Sequence, residues 1–254
     1  MQGVPTVAGG LPVTAFGEIG STNAEALSRA SQGAPEQWVV SEIQTAGRGR
    51  RGREWVSEAG NLYSSLLLYD PAPPALTPQI CFVTALALHD AVRDAAPNLD
   101  AEILRLKWPN DLLFGGKKLA GILVEGLQSP DRHAVVTGIG TNCKHHPDNA
   151  AYPATDLAAE GFMVEPKDLF PHLAARMMER LAQWRRGEGF RATREAWLSR
   201  AEGVGSEIEV RLPERSLHGT FTEIDGDGAL ILGLPGGQKE TIRAGDVFPL
   251  QAKG

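Results

Sequence analysis

Four arginines lie between Arg48 and Arg53, inside the run Gln44-Thr45-Ala46-Gly47-Arg48-Gly49-Arg50-Arg51-Gly52-Arg53-Glu54-Trp55. Glycine lets such a loop curl until backbone N–H groups converge on an anion, and guanidinium forks add bidentate contacts to phosphate or carboxylate oxygens. The chain as a whole carries a net charge of -6, so the cluster is not overflow from a basic composition. Taken alone it also fits a solvated loop, a hairpin tip with surplus charge, or an RGG-like patch for RNA.

A second group is Lys107-Trp108-Pro109-Asn110-Asp111, followed by Lys117-Lys118-Leu119-Ala120-Gly121-Ile122-Leu123-Val124-Glu125. Lys118 opens an apolar strand, where one ammonium can be held in place and partly desolvated. Asp111 comes just after a strand, from where a carboxylate can bind Mg²⁺ or orient a nucleotide. The plainer alternative is a turn shaped by Trp108 and Pro109, with Lys118 at a solvated strand end.

Two weaker signals stand beside these. In Ser21-Thr22-Asn23, Thr22 and Glu25 fit a capping box, and the same small polar side chains suit recognition of a ureido or amide group. Gly138-Ile139-Gly140-Thr141-Asn142 permits close backbone approach to a ligand, although a bare Gly-x-Gly says little. The adjacent His145 and His146 lack any ligand-spacing partner, so no protein cage for a metal is expected. His89 falls inside a helix, and Cys81 and Cys143 are expected to be free thiols.

The elements that must position these groups can be read from periodicity. At 254 residues, 42% hydrophobic and 22% charged, the chain can bury a full core as one large domain or one large plus one small. Helices are predicted over residues 24–30, 78–96, 168–186 and 191–200. Strands are predicted over 38–44, 62–69, 104–108, 112–114, 119–126 and 133–139, with a Gly115-Gly116 turn between the fourth and fifth. From about Gly203 the pattern changes to five short strands over 207–212, 219–224, 229–234, 239–242 and 247–250, which suits a small β-barrel. A domain boundary is placed near Ala201, giving domains 1–201 and 202–254. Residues 1–20 hold no Lys or Arg, and Gly and Pro break their apolar stretches. That is unlike a secretory signal or a membrane span, so a cytoplasmic protein is expected, with no DNA and no membrane among its partners.

In this order and combination, Ser21-Thr22-Asn23, the Gly47–Gly52 run, Lys107–Asp111, Lys118–Glu125 and Gly140-Thr141-Asn142 resemble the biotin protein ligases, over nearly the whole chain. The resemblance implies an α+β fold: a mixed β-sheet with helices packed on one side, of the class II synthetase/biotin ligase kind, plus a small C-terminal SH3-like β-barrel. It implies that biotin and ATP give biotinyl-5′-adenylate and pyrophosphate. A lysine of a biotin carboxyl carrier domain of a carboxylase then takes the biotin and releases AMP.

Carried over by position, Ser21, Thr22 and Asn23 contact the ureido ring. Gln44, Arg48, Gly49 and Arg50 bind biotin and the adenylate phosphate, and Lys118 holds the biotin carboxylate or the phosphate derived from it. Arg48, Arg50, Lys118 and Asp111 form the catalytic set. Arg53, Trp55, Asn110, Asp111, Asn142 and Trp197 fall on the nucleotide side, with Mg²⁺ near Asp111. Only about 16 residues precede the first expected core element, too few for the DNA-binding domain of the family's regulatory members. The oligomeric state is left between monomer and homodimer. A lipoate ligase or octanoyl transferase of the same fold is the nearest alternative, and an RNA-binding module the remote one.

Overall fold

The computed structural model describes residues 3–128, 132–149 and 152–250. Its larger layer is an eight-stranded sheet in the order β1-β2-β3-β4-β8-β7-β6-β5. The strands are β1 (Val7–Ala8), β2 (Leu11–Ile19), β3 (Gln37–Gln44), β4 (Leu62–Tyr69), β5 (Leu104–Lys107), β6 (Asp111–Phe114), β7 (Lys117–Gln128) and β8 (His133–Thr141). β2 and β3 run parallel and every other neighbouring pair is antiparallel. Gly115 and Gly116, both at positive φ, close the β6–β7 hairpin as the sequence predicts.

Alternation along the central strands sends side chains to both faces, and both faces are covered. Val39, Leu67, Ala134 and Val136 meet Ala26 and Ala30 of α1 (Thr22–Ser31). Trp38, Val40, Leu66 and Val135 belong to the main core, under α2 (Ile80–Ala95) and α3 (Pro166–Trp184). Trp38 sits edge-on to Phe170 of α3, with ring centroids 5.4 Å apart. Burying each such large apolar side chain stabilises the fold by about 1.5–3 kcal/mol. The expectation of helices on one side is therefore corrected: a short, alanine-faced α1 lies alone on the second face. The apolar segment 74–95 is long enough to cross a membrane, but its helix α2 is mostly buried in this core.

β2 is absent from the sequence prediction, which places no core element before residue 17. Pro12 and Gly17 interrupt its alternation, and no residue of β2 is fully buried. Its place is set by parallel pairing with β3, a long-range contact that local patterning does not report. The capping box is also not formed. Ser21, not Thr22, caps α1, which places Glu25 one position too late and leaves it paired with Arg29 at 2.8 Å.

After α4 (Phe190–Leu198), the C-terminal strands are β9 (Glu207–Arg211), β10 (Ser216–Ile224), β11 (Leu230–Gly233), β12 (Lys239–Ile242) and β13 (Asp246–Pro249). All five predicted strands are present, in the order β12-β11-β10-β9-β13. The outer strands β12 and β13 do not pair, so the sheet is open and the expected SH3-like barrel is not formed. β13 instead runs along β9 and turns Asp246 and Phe248 toward the larger layer, where they meet Arg53 and Tyr152. The two layers share one core, which includes Ile208, Val210 and Phe221. Trp108 ties them further by donating its Nε1–H to the Gly228 carbonyl at 3.1 Å.

Candidate active site

A cleft of about 350 Å³ opens where the C-terminal ends of β2 and β3, the start of α1, the β5–β6 turn and strands β7 and β8 converge. That volume suits a small organic ligand. Its floor is glycine. In the β7–β8 register Gly121 faces Gly140. A Cβ on either would lie within 3 Å of the Trp55 indole, and a Cβ on Gly138 would lie 2.1 Å from Asn23 Oδ1. Three strand positions thus give up side chains so that an aromatic wall and a polar row can approach the sheet. Trp55 Nε1 is buried against this floor without an acceptor.

The polar row is tightly ordered. Thr22 donates its backbone N–H and hydroxyl to Gln44 Oε1 at 2.8 and 3.1 Å, and Gln44 Nε2 donates to the Ser57 hydroxyl at 3.0 Å. The Ser65 hydroxyl donates to Asn23 Oδ1 at 2.6 Å. Ser21, Thr22 and Asn23 are all buried, at the N-terminus of α1, where the helix dipole favours electron-rich groups.

The arginine loop forms one wall. Gly49 N–H donates to the Arg53 carbonyl at 2.7 Å and Trp55 N–H to the Gly47 carbonyl at 3.0 Å, closing a small hairpin. Its tip, Arg50–Gly52, places Arg51 and Gly52 at φ of 57° and 70°. Arg50 points inward, donating to Asn110 Oδ1 at 3.2 Å and to the Gly245 carbonyl at 3.3 Å. Burial pulls its pKa below the ordinary value, but a guanidinium remains charged. Arg51 and Arg53 face Asp246 of β13 at 3.6 and 2.9 Å.

Across the cleft, Asp111 is held by two ammonium groups, Lys107 at 2.9 Å and Lys118 at 2.6 Å. The Lys118 contact is out of line for a full hydrogen bond. Burial alone would raise the Asp111 pKa, but the charges of Lys118 and then Lys107 outweigh it and hold the carboxyl at about 2. Lys107 also lies 4.0 Å from the Tyr152 ring centroid, and Lys118 5.2 Å from that of Trp55. This arrangement bears on the Mg²⁺ expected near Asp111, because the carboxylate is already taken. Among the described residues there is no group of three metal-ligating side chains. His146 is paired with Asp156 at 2.6 Å.

Of the residues singled out from the sequence, Ser21, Thr22, Asn23, Gln44, Arg48, Gly49, Arg50, Arg53, Trp55, Asn110, Asp111, Lys118 and Asn142 all line the cleft. Asn110 and Asn142 are braced, donating to the carbonyls of Ile122 at 2.7 Å and Thr155 at 2.9 Å. Trp197 does not belong. It is buried in the core against Phe82, at 5.3 Å between ring centroids, because the apolar face of α4 packs inward. Missing from the sequence-derived set are Lys107, Tyr152, Asp246 and Phe248, which also line the cleft. Lys107 carries a signal, its four-residue spacing from Asp111. Tyr152, Asp246 and Phe248 carry none, since docking of the C-terminal sheet decides their place. Cys81 and Cys143 are free, and burial pushes both thiols up to about 12, away from nucleophilic chemistry.

Residues 17–142 match the model of the biotin/lipoate A/B protein ligase family, and residues 203–248 that of the biotin protein ligase C-terminal domain. The chain is 42% identical to a biotin–[acetyl-CoA-carboxylase] ligase of Paracoccus denitrificans, over 90% of this chain and 96% of that one. Its fold is similar to a biotin protein ligase from Aquifex aeolicus solved with biotin and ATP. The TM-score is 0.78 at 26% identity, covering 94% of this chain and 99% of that one. A Leishmania major biotin protein ligase solved with biotinyl-5-AMP matches with a TM-score of 0.63 at 26% identity, over 91% of this chain and 98% of that one.

Proposed function

The chain belongs to the biotin protein ligase family, and from that premise we propose that it activates biotin with ATP and passes it to a lysine of a carrier protein. In the first step the biotin carboxylate attacks the α-phosphate of ATP. Biotinyl-5′-adenylate forms and pyrophosphate leaves. In the second, the acceptor amine attacks the acyl carbon and AMP leaves. The acceptor is a biotin carboxyl carrier domain of a carboxylase, and its amine is supplied by the partner, so this chain positions that group rather than activating it.

The observation that carries this reading is one cleft lined by both an ordered polar row at Ser21–Asn23 and a cationic end at Arg50 and Lys118. The row suits the ureido ring, and the glycine floor with Trp55 suits the apolar body of biotin. The cationic end suits a carboxylate meeting a phosphate, two anions that repel unless fixed charge is present beforehand. Lys118 is restrained by Asp111, which keeps its ammonium on the reaction side. Arg48 and Gly49 line the cleft beside the polar row, while Arg53, Asn110 and Asn142 edge the nucleotide side. Tyr152 and Phe248 add an aromatic shelf there.

A Mg²⁺ held by protein side chains does not fit, because Lys107 and Lys118 occupy the Asp111 carboxylate. Mg²⁺ enters as part of MgATP, as substrate. We keep two domains, 1–201 and 202–254, on the change of pattern to five short strands after that point. The reading is tested by isothermal titration with biotin, followed by ATP-dependent labelling of a carrier domain. Heat of binding and a covalently biotinylated carrier are expected. Binding of lipoate in place of biotin counts for the related acyl ligases instead.

A further inference from the structure

Glu125 lies on β7, outside the cleft wall. Its carboxylate nevertheless joins the two parts of the biotin end. One oxygen accepts from Asn23 Nδ2 at 2.8 Å, and both lie 3.3 Å from one nitrogen of the Arg48 guanidinium. Asn23 Nδ2 also reaches the Leu123 carbonyl at 3.2 Å, and its Oδ1 is taken by Ser65. Asn23 is therefore fixed from three sides, whereas Arg48 belongs to a loop at the surface.

We propose that Glu125 is a positioning residue that clasps the Arg48 end of the arginine loop to the fixed Asn23 amide, holding the loop over the ureido end of the cleft. The opposite end of the loop is pinned separately, through Arg50 to Asn110 and through Arg51 and Arg53 to Asp246. The two anchorages differ in number: the Arg48 side chain has the Glu125 carboxylate, whereas the tip has two bonds from Arg50 and two ion pairs to Asp246. The Glu125 pair is longer than ideal, and its side chains are 26% and 46% exposed, so solvent competes for it. Loss of that pair frees the Arg48 side chain while the Asp246 contacts stay in place, which leaves the nucleotide side intact. This is a role beyond an ordinary surface pair, because one of the two partners borders the ligand cavity and the other belongs to the loop that covers it.

The inference rests on the biotin ligase reading, and the test separates the two. Glu125→Gln keeps size and shape but removes the charge that draws Arg48. Cleavage of residues 46–54 by a protease in the ligand-free protein is expected to run roughly 2- to 5-fold faster than in the wild type. The KM for biotin should rise by a similar factor while kcat for pyrophosphate release stays within about twofold, since the cationic end is untouched. Glu125→Asp, which keeps the charge but retracts it, should fall between the two. Adding Arg48→Ala to Glu125→Gln should produce no further gain in cleavage. Unchanged cleavage in folded Glu125→Gln overturns the clasp. Should that variant not fold, wild-type cleavage in Glu125→Asp overturns it instead. Faster cleavage in a protein whose wild type binds no biotin overturns the ligase reading and leaves the clasp standing.

Discussion

The Lys118 ammonium stands 2.6 Å from Asp111 Oδ1, while Lys107 holds the other oxygen at 2.9 Å. One carboxylate thus restrains two cations in a nearly dry place. The trio leaves one surplus positive charge facing the cleft, at the end where two anions must meet. Removing Asp111 leaves two partly buried ammonium groups repelling each other.

That geometry sets an acid limb of stability. The Asp111 carboxyl titrates at about 2 in the folded chain against 3.8 when exposed, so on acidification the unfolded chain takes up the proton first. The stability it contributes, on the order of 2 kcal/mol, is present above about pH 4 and lost as the pH falls toward about 2. Urea denaturation across this range should show Asp111→Asn less stable than wild type at pH 7, with the gap narrowing in acid. A gap independent of pH would show that the carboxylate is not ionised by its lysines.

Lys118→Ala and Arg50→Ala remove charge from the reacting end without emptying the core. Each should slow adenylate formation by on the order of 10²–10³, since a fixed contact to developing charge is lost. Single-turnover pyrophosphate release measures this, with circular dichroism to check the fold. Normal release by a folded variant contradicts the assigned role.

The arginine loop should change its accessibility with ligand. Its glycines at 47, 49 and 52 and its exposed tip suit a segment that opens when empty and orders when full. Protease cleavage within residues 46–54 should be suppressed by biotin plus ATP, which would also keep water from the adenylate. Equal cleavage with and without ligand counts against closure.

Gly138 should tolerate no side chain. A Cβ there lies 2.1 Å from Asn23 Oδ1, and the Asn23 amide is held by Ser65 at Oδ1 and by Glu125 at Nδ2. Gly138→Ala is expected to lower stability by about 1–3 kcal/mol through overpacking. By displacing Asn23, it should also weaken biotin binding on the order of 10-fold or more. Titration calorimetry and thermal melting read the two effects, and unaltered biotin affinity would show that Asn23 is free to move.

Most of the cleft could be read from the chain because its residues sit in short runs whose chemistry is unusual: Arg48 to Arg53, Lys107 to Asp111, Lys118. What could not be read depends on contacts distant in sequence. β2 is defined by its parallel partner rather than its own alternation. The open edge between β12 and β13 is a matter of which strands fail to pair, and five well-spaced strands look the same open or closed. The resemblance puts Trp197 on the nucleotide side, yet the α4 face that carries it points into the core. Phe248 and Asp246 reach the cleft only through docking of the second sheet, and Glu125 gains its meaning only when Arg48, 77 residues away, folds beside it.

Pyrophosphate release from ATP, measured with biotin and with lipoate as alternative acids, tests the proposed chemistry most directly. Release that depends on biotin, is absent with lipoate, and is lost in Lys118→Ala is the expected result. Release with lipoate but not biotin, or biotin-dependent release that survives Lys118→Ala, would contradict it.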